Sequence, residues 1–283
     1  MRAPNVRGSL AWCAADFRSL LPGASAGLMQ LMYPPLGQGV MEHSAFVEDP
    51  FGRVYRSIPQ IWATILKDDG DTRARHVRDL HRDIKGSEES GARYHALDPD
   101  TFWWAHATFT WEMFRSLQLF HRHQLGTRER EVFYTETVEW YERYGVSTRP
   151  VPADYAAFTT RFREICHDVL EMTPAAAYAV NIADQGKLGL PLMPANVMRA
   201  IRPLLRQPGR ALAFGCLPSS VRTRLAIPWT AADRRSLVLL RRVVETGGTL
   251  VPSSVNQSAL RFSLRHVGAR TRRERYQLPS RAS

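Results

Sequence analysis

The sequence predicts an all-α protein, with a compact helical core followed by a proline-rich C-terminal wrap and a terminal helix. Three observations carry that reading. Helix starts recur in one form, aspartate followed by proline, at Asp49-Pro50 and Asp98-Pro99. There the carboxylate takes an orphan amide, and proline at the first helical position has no amide to lose. Apolar residues recur three and four apart, as in Phe158, Phe162, Ile165 and Val169, the period of a helix with one buried face. Period-two alternation, the mark of a half-buried strand, is nearly absent.

Taken in order, residues 24–33 read as a short apolar helix stopped by Pro34-Pro35. The helix that starts at Asp49-Pro50 should run to about Leu66, kinked by Pro59, which removes one backbone donor. Asp71 can cap the next helix, which should end near Gly86. The helix from Asp98-Pro99 runs to about His123, Thr127 begins another, and Gly145 is placed to end it. Pro152 opens the helix with the Phe158 face. Beyond residue 186, Pro191, Pro194, Pro203, Pro208, Pro218 and Pro228 should cut the chain into short pieces, before Thr230 caps a last helix ended by Gly247-Gly248. The expected organisation is an N-terminal arm over residues 1–19, one domain over 20–250 with its core complete by about 185, and a basic tail over 251–283.

Composition narrows the function classes. Hydrophobic residues make up 44% and charged residues 23% of 283, enough for a sizeable core. No apolar run approaches the roughly 20 residues that a membrane-spanning helix needs, and Asp16 and Arg18 interrupt Leu10-Ala-Trp12 too early for a secretory signal. Cys13, Cys166 and Cys216 form no CxxC pair, so neither a zinc knuckle nor a disulfide framework is expected, and a reducing compartment, the cytoplasm, fits. The net charge of +11 is concentrated at the end, where seven arginines from Arg261 onward face Glu274 alone. Such a tail suits a solvated terminus or peripheral contact with an anionic membrane. Nucleic acid is not expected as a partner, because a basic tail alone supplies no groove or stacking platform. No HExxH, GxSxG, Walker loop or GxGxxG occurs. Glu164-Ile-Cys-His167 is a single Glu-x-x-His unit, where a carboxylate di-iron site needs two.

The candidate chemistry lies in three stretches. His106 sits in the most aromatic segment, with Phe102, Trp103, Phe109 and Thr110 three and four residues away and so near its face. A neutral imidazole there is either a core histidine or a ligand to a flat metal macrocycle such as haem, whose surface suits aromatic walls. Arg53, Arg56 and Ser57 share a helix face. Two guanidiniums and a hydroxyl could pair with carboxylates or polarise bound oxygen, or could form an ordinary basic surface. Glu42 and His43 adjoin near a helix end and could serve acid–base chemistry or simply cap it.

Several motifs appear together: Gln30-Leu-Met-Tyr-Pro34, Gly39-Val-Met-Glu-His-Ser44, Asp49-Pro-Phe-Gly-Arg-Val-Tyr-Arg-Ser57, Ile84-Lys-Gly86, the run from Tyr94 to Thr108, and Pro218 to Trp229. In this order and spacing they resemble the oxygenase family that includes the latex-clearing rubber oxygenases and the fungal enzyme that cleaves a farnesyl chain. The resemblance runs from about residue 20 to about 245. It implies a haem b protein with a globin-like helical core, its iron held by His106 in a pocket walled by Phe102, Trp103, Phe109, Thr110 and Tyr33. It places Arg53, Arg56 and Ser57 on the opposite side of the haem. It implies dioxygen and an apolar substrate of isoprenoid or lipid-like kind, split at a carbon–carbon double bond or oxygenated in a related way. His43, with an unperturbed pKa near neutrality, is the candidate for proton transfer.

The chain also departs from the pattern. Arg56 stands where rubber oxygenases can place an iron-binding lysine, and a guanidinium stays protonated. Tyr33 stands where many relatives carry histidine. The rubber enzymes' catalytic glutamate has no secure counterpart, and Glu42 does not inherit the role. The alternative to catalysis is a helical binding module that docks to anionic membrane through its basic tail.

Overall fold

The structure, a computed structural model, describes residues 1, 6–88, 91–186, 195–252 and 255, with backbone alone at 195, 196, 198, 202 and 249. The chain order is α1 (Leu10–Ala14), a 3-10 turn (Phe17–Leu20), α2 (Gly23–Leu31), α3 (Pro34–His43), α4 (Pro50–Leu66), α5 (Gly70–Asp79), β1 (Lys85–Ser87), β2 (Arg93–His95), α6 (Pro99–Phe120), α7 (Thr127–Glu142), α8 (Tyr155–Asp168), α9 (Pro174–Asp184), α10 (Ala195–Gly215), α11 (Ser219–Arg224) and α12 (Ala231–Leu250). The protein is all-α, with one antiparallel hairpin that pairs Lys85 with His95 and Ser87 with Arg93.

The aspartate–proline starts act as the sequence predicts. Asp49 accepts from the Gly52 amide at the head of α4. Asp98 accepts from the Asp100 and Thr101 amides at the head of α6. Thr230 caps α12 with a reciprocal bond from its own amide to Asp233. Helix α6 is the axis of the molecule, since fifteen of its 22 residues are buried, including Phe102, Trp103, Trp104, His106 and Glu112. Helices α2, α7 and α12 and the 3-10 turn all pack against it.

Three expectations are corrected. Residues 10–14 are no arm: Leu10, Cys13 and Ala14 are fully buried, and the Leu10 amide donates to the buried Glu136 carboxylate. The apolar face of that short helix outweighs its terminal position. The helix after Asp71 ends at Asp79, and a turn leads into the hairpin. Gly86 fits tightly there, because a Cβ would come within 2.7 Å of both Glu42 Oε2 and Tyr94 Oη. Helix α2 does stop at Leu31, ahead of Pro34-Pro35, and the two prolines also open α3, in first-turn positions where no amide bond is due. Pro203 and Pro208 lie inside α10, a continuous 21-residue helix, and Gly247-Gly248 lie inside α12.

No helix among the described residues is long and apolar enough to cross a membrane. All three cysteines are buried free thiols. Nearly all of the basic tail, and with it the expected membrane contact, lies outside the described residues.

Candidate functional site

His106 lies two turns into α6, on the stripe shared by Phe102 and Phe109, and this stripe faces α7. Its ring centroid is 4.5 Å from that of Trp140, 5.1 Å from Tyr141 and 6.2 Å from Tyr144. Nε2 lies 2.9 Å from the carbonyl oxygen of Thr137. A carbonyl only accepts, so Nε2 carries the proton and Nδ1 carries the lone pair. Nδ1 is buried and has no hydrogen-bond partner. Burial holds the ring neutral, pushing its pKa down from 6.5 to about 3 against the opposing bond to Thr137.

Phe102 connects this histidine to a second one. It packs edge-on against His81 at 6.1 Å and also touches Tyr141 and Tyr144. Just past the end of α5, His81 donates from Nδ1 to the Val77 carbonyl at 2.8 Å. Its Nε2 has no partner among the described residues. Burial lowers its pKa, the Val77 bond opposes, and the charge of Arg53 lowers it further. At the other end of the stripe, Phe109 meets Trp62 of α4 at 5.9 Å and Trp140 at 6.3 Å. The Trp62 indole nitrogen is also buried without a partner. Helices α4, α6 and α7 and the end of α5 thus pack into one aromatic cluster around two imidazoles.

The basic residues of α4 diverge. Arg53 is half-buried, lies over the Phe46 ring at 6.0 Å and pairs with no described carboxylate. Burial, and after it the charge of Arg56, lowers its pKa. Arg56 instead donates to Asp49 Oδ2 at 3.0 Å, tying the helix to its own cap. Ser57 is half-buried beside them.

Other expected site residues stand apart from this cluster. Tyr33 stacks on Trp104 at 5.8 Å, and Trp104 is two residues, some 200°, round the helix from His106. His43 is exposed, with Nε2 3.2 Å from the Lys85 carbonyl oxygen and 3.7 Å from Glu42. It braces the hairpin against α3. Trp103 and Thr110 are buried along the edges of the His106 stripe, and no ring contact joins Trp103 to His106. His81, Trp140, Tyr141 and Tyr144 escaped the sequence reading. The signal for His81 was its helical spacing from Ala74 and Val77, which continues the inward line of α5 one turn past its end.

No group of three or more His, Cys, Asp or Glu among the described residues is set to hold a bare metal ion. A single imidazole suffices when a macrocycle supplies the remaining ligands. A metal-binding imidazole typically donates its other N–H to a backbone carbonyl, and His81 and His106 both do so. The donor set therefore fits a haem.

Over residues 11–246 the chain matches the family model described as ER-bound oxygenase mpaB/B'/Rubber oxygenase, catalytic domain. No curated protein and no solved structure matches it significantly.

Proposed function

Since the chain belongs to the family of mpaB and rubber oxygenase catalytic domains, we propose that it is a haem b-dependent oxygenase. It uses dioxygen on an apolar substrate of isoprenoid or lipid-like kind, by cleavage of a carbon–carbon double bond or a related oxygenation. The oxygenase class comes with the family. The observation that supports haem is the buried His106 imidazole among aromatic rings, anchored at Nε2 to the Thr137 carbonyl and unpartnered at Nδ1, with a second imidazole, His81, anchored through Nδ1 to the Val77 carbonyl.

The two histidines are not equally placed to hold iron. His81 presents Nε2, the nitrogen at the far end of the ring, and its anchor is the carbonyl four residues earlier in its own chain. His106 presents Nδ1, the nitrogen nearer its own Cβ and backbone. We therefore assign the iron to His81. His106 is the second reading, and it requires the ring to turn and release Thr137. In either case the remaining histidine packs beside the ligand through Phe102.

Bound haem supplies the site for dioxygen, and the residues of the chain set its surroundings. Arg53, half-buried and without a carboxylate, has a guanidinium available for the acidic edge of the cofactor. Ser57 offers a hydroxyl from the same helix face. Arg56 joins them only by leaving Asp49. Phe102, Phe109, Trp62 and Trp140 exclude water and favour an apolar substrate. The reading assigns no step to His43 or Tyr33.

The test is an absorption spectrum with a pyridine haemochrome assay on the purified protein and on two variants. The wild type should show a Soret band, His81→Ala should lose it, and His106→Ala should keep it with a shifted maximum. A colourless wild type after expression with added haem would sink the proposal. Loss of the band in His106→Ala alone would transfer the iron to that residue.

A further inference from the structure

On the far side of α6 from His106 a cavity opens, between the C-terminal half of that helix, α8 and the start of α11, with a volume of about 530 Å³. We propose that it binds an amphipathic anion, a carboxylate or phosphate head on an apolar body. The proposal goes beyond the oxygenase reading and does not rest on it.

The charge of the lining is one-sided. Arg115, Arg130, Arg163 and Arg222 all line the cavity, and among the described residues no aspartate or glutamate does. Arg130 and Arg163 are exposed at its edge and pair with no described carboxylate, while Arg115 and Arg222 are half-buried deeper in. The inner pair is held in place by neutral groups. Arg115 donates to the Gln118 side chain at 2.6 Å and to the Gly215 carbonyl at 3.3 Å. Arg222 donates to the carbonyls of Phe214 and Leu217 at 2.9 and 2.7 Å and lies over the Trp229 ring. These contacts fix the guanidiniums without neutralising them, so like charges converge around an empty volume. Burial lowers the pKa of both, and the Arg115 charge lowers Arg222 further.

Two donors lack acceptors. Nε of Arg115 and the indole nitrogen of Trp111 are buried with no hydrogen-bond partner, and both residues line this cavity. A native structure normally satisfies such groups. An anionic head would pair with the guanidiniums that line the cavity and offset their charges.

The other walls exceed what a bare ion needs. Trp111 stacks on Phe162 at 4.8 Å with 13° between the planes, forming a flat wall. Phe114, Phe158, Leu125 and Leu217 continue the apolar lining. The volume lies within the roughly 300–1,000 Å³ usual for small-molecule sites, far more than an inorganic ion fills. A head at the arginines and an apolar body against Trp111 and Phe162 use the whole cavity.

The test is isothermal titration of the full-length protein with dodecanoate, dodecyl phosphate, dodecanol and inorganic phosphate, all below micelle formation. One dodecanoate or dodecyl phosphate should bind per chain, with dodecanol and inorganic phosphate at least about tenfold weaker, since each lacks one half of the recognition. The tighter of the two anions identifies the head as carboxylate or phosphate. Arg163→Glu, on an exposed helix position, should weaken the anions by about tenfold or more, while Arg235→Glu on the exposed face of α12 should leave them unchanged. Dodecanol binding as tightly as dodecanoate, inorganic phosphate binding as tightly as dodecyl phosphate, or an unaffected Arg163→Glu would each overturn the proposal.

Discussion

The two sides of α6 leave opposite kinds of group unsatisfied. On the α7 side, the buried atom without a partner on the helix is the lone pair of His106 Nδ1, inside a closed wall of rings with no charged neighbour in contact. On the α8 side, the unsatisfied atoms are donors, Arg115 Nε and Trp111 Nε1, buried in the wall of an open cavity lined by arginines. A lone pair seeks a proton, a donor or a metal, whereas unpaired donors around guanidiniums seek an anion. One helix thus sets an electron-pair donor site and an anion site about half a turn apart, because side chains nine residues apart point to opposite sides.

The contrast breaks most easily on the closed side. Trp140 is fully buried, and its indole N–H donates to Thr64 Oγ1 at 2.7 Å. Trp140→Ala should lose about 3–5 kcal/mol of stability, measured by urea unfolding. Arg163→Ala on the open side should stay within about 0.5 kcal/mol of wild type. A mild Trp140→Ala would mean that the rings around His106 are not a rigid, packed wall.

A titration sharpens the same contrast. His106 has its folded pKa depressed from 6.5 to about 3. A base held neutral in the fold contributes stability that is fully present above pH 6.5 and is lost as pH falls toward 3. Each unit of that shift corresponds to about 1.4 kcal/mol, so His106→Leu should flatten the acid limb of a stability–pH profile across this window. His121, depressed to about 4 chiefly by burial, should leave a residual slope. A limb of unchanged steepness would show that His106 does not titrate as a buried neutral base.

The smallest effect concerns Glu112, on the stripe of α6 that faces α2. Both its carboxylate oxygens are buried without partners, and burial raises its pKa well above 4.5. A carboxyl whose folded pKa is raised destabilises the fold increasingly as pH rises above its unfolded value. Glu112→Met should therefore raise stability at pH 8 by about 1–3 kcal/mol, with the gain shrinking as pH falls to about 4.5. A variant less stable than wild type at pH 8 would indicate a ligand or buried cation on that carboxylate.

Some of this was legible in the residues. The caps at Asp49, Asp98 and Thr230 read correctly because a cap is a local bond between neighbours in sequence. The aromatic setting of His106 was also legible, since helical spacing fixes which side chains share its face. Pro203 and Pro208 misled, because a proline's helix-breaking tendency is a prior that tertiary packing can override. The α1 segment misled because five residues are too few to show a period, although its apolar side completes the core. Tyr33 was grouped with His106 on resemblance, yet α3 delivers it to the Trp104 side of the helix.

By itself the sequence determined the helical class, the family, the starts of the principal helices and the burial of His106, because capping and periodicity act over a few residues. Only the tertiary structure decided which histidine nitrogen is free, that His81 stands beside Arg53 and Phe102, and that four arginines from four helical segments meet around one cavity. Those facts depend on contacts between residues far apart in sequence, which are set by how the helices pack and leave no local mark on the chain.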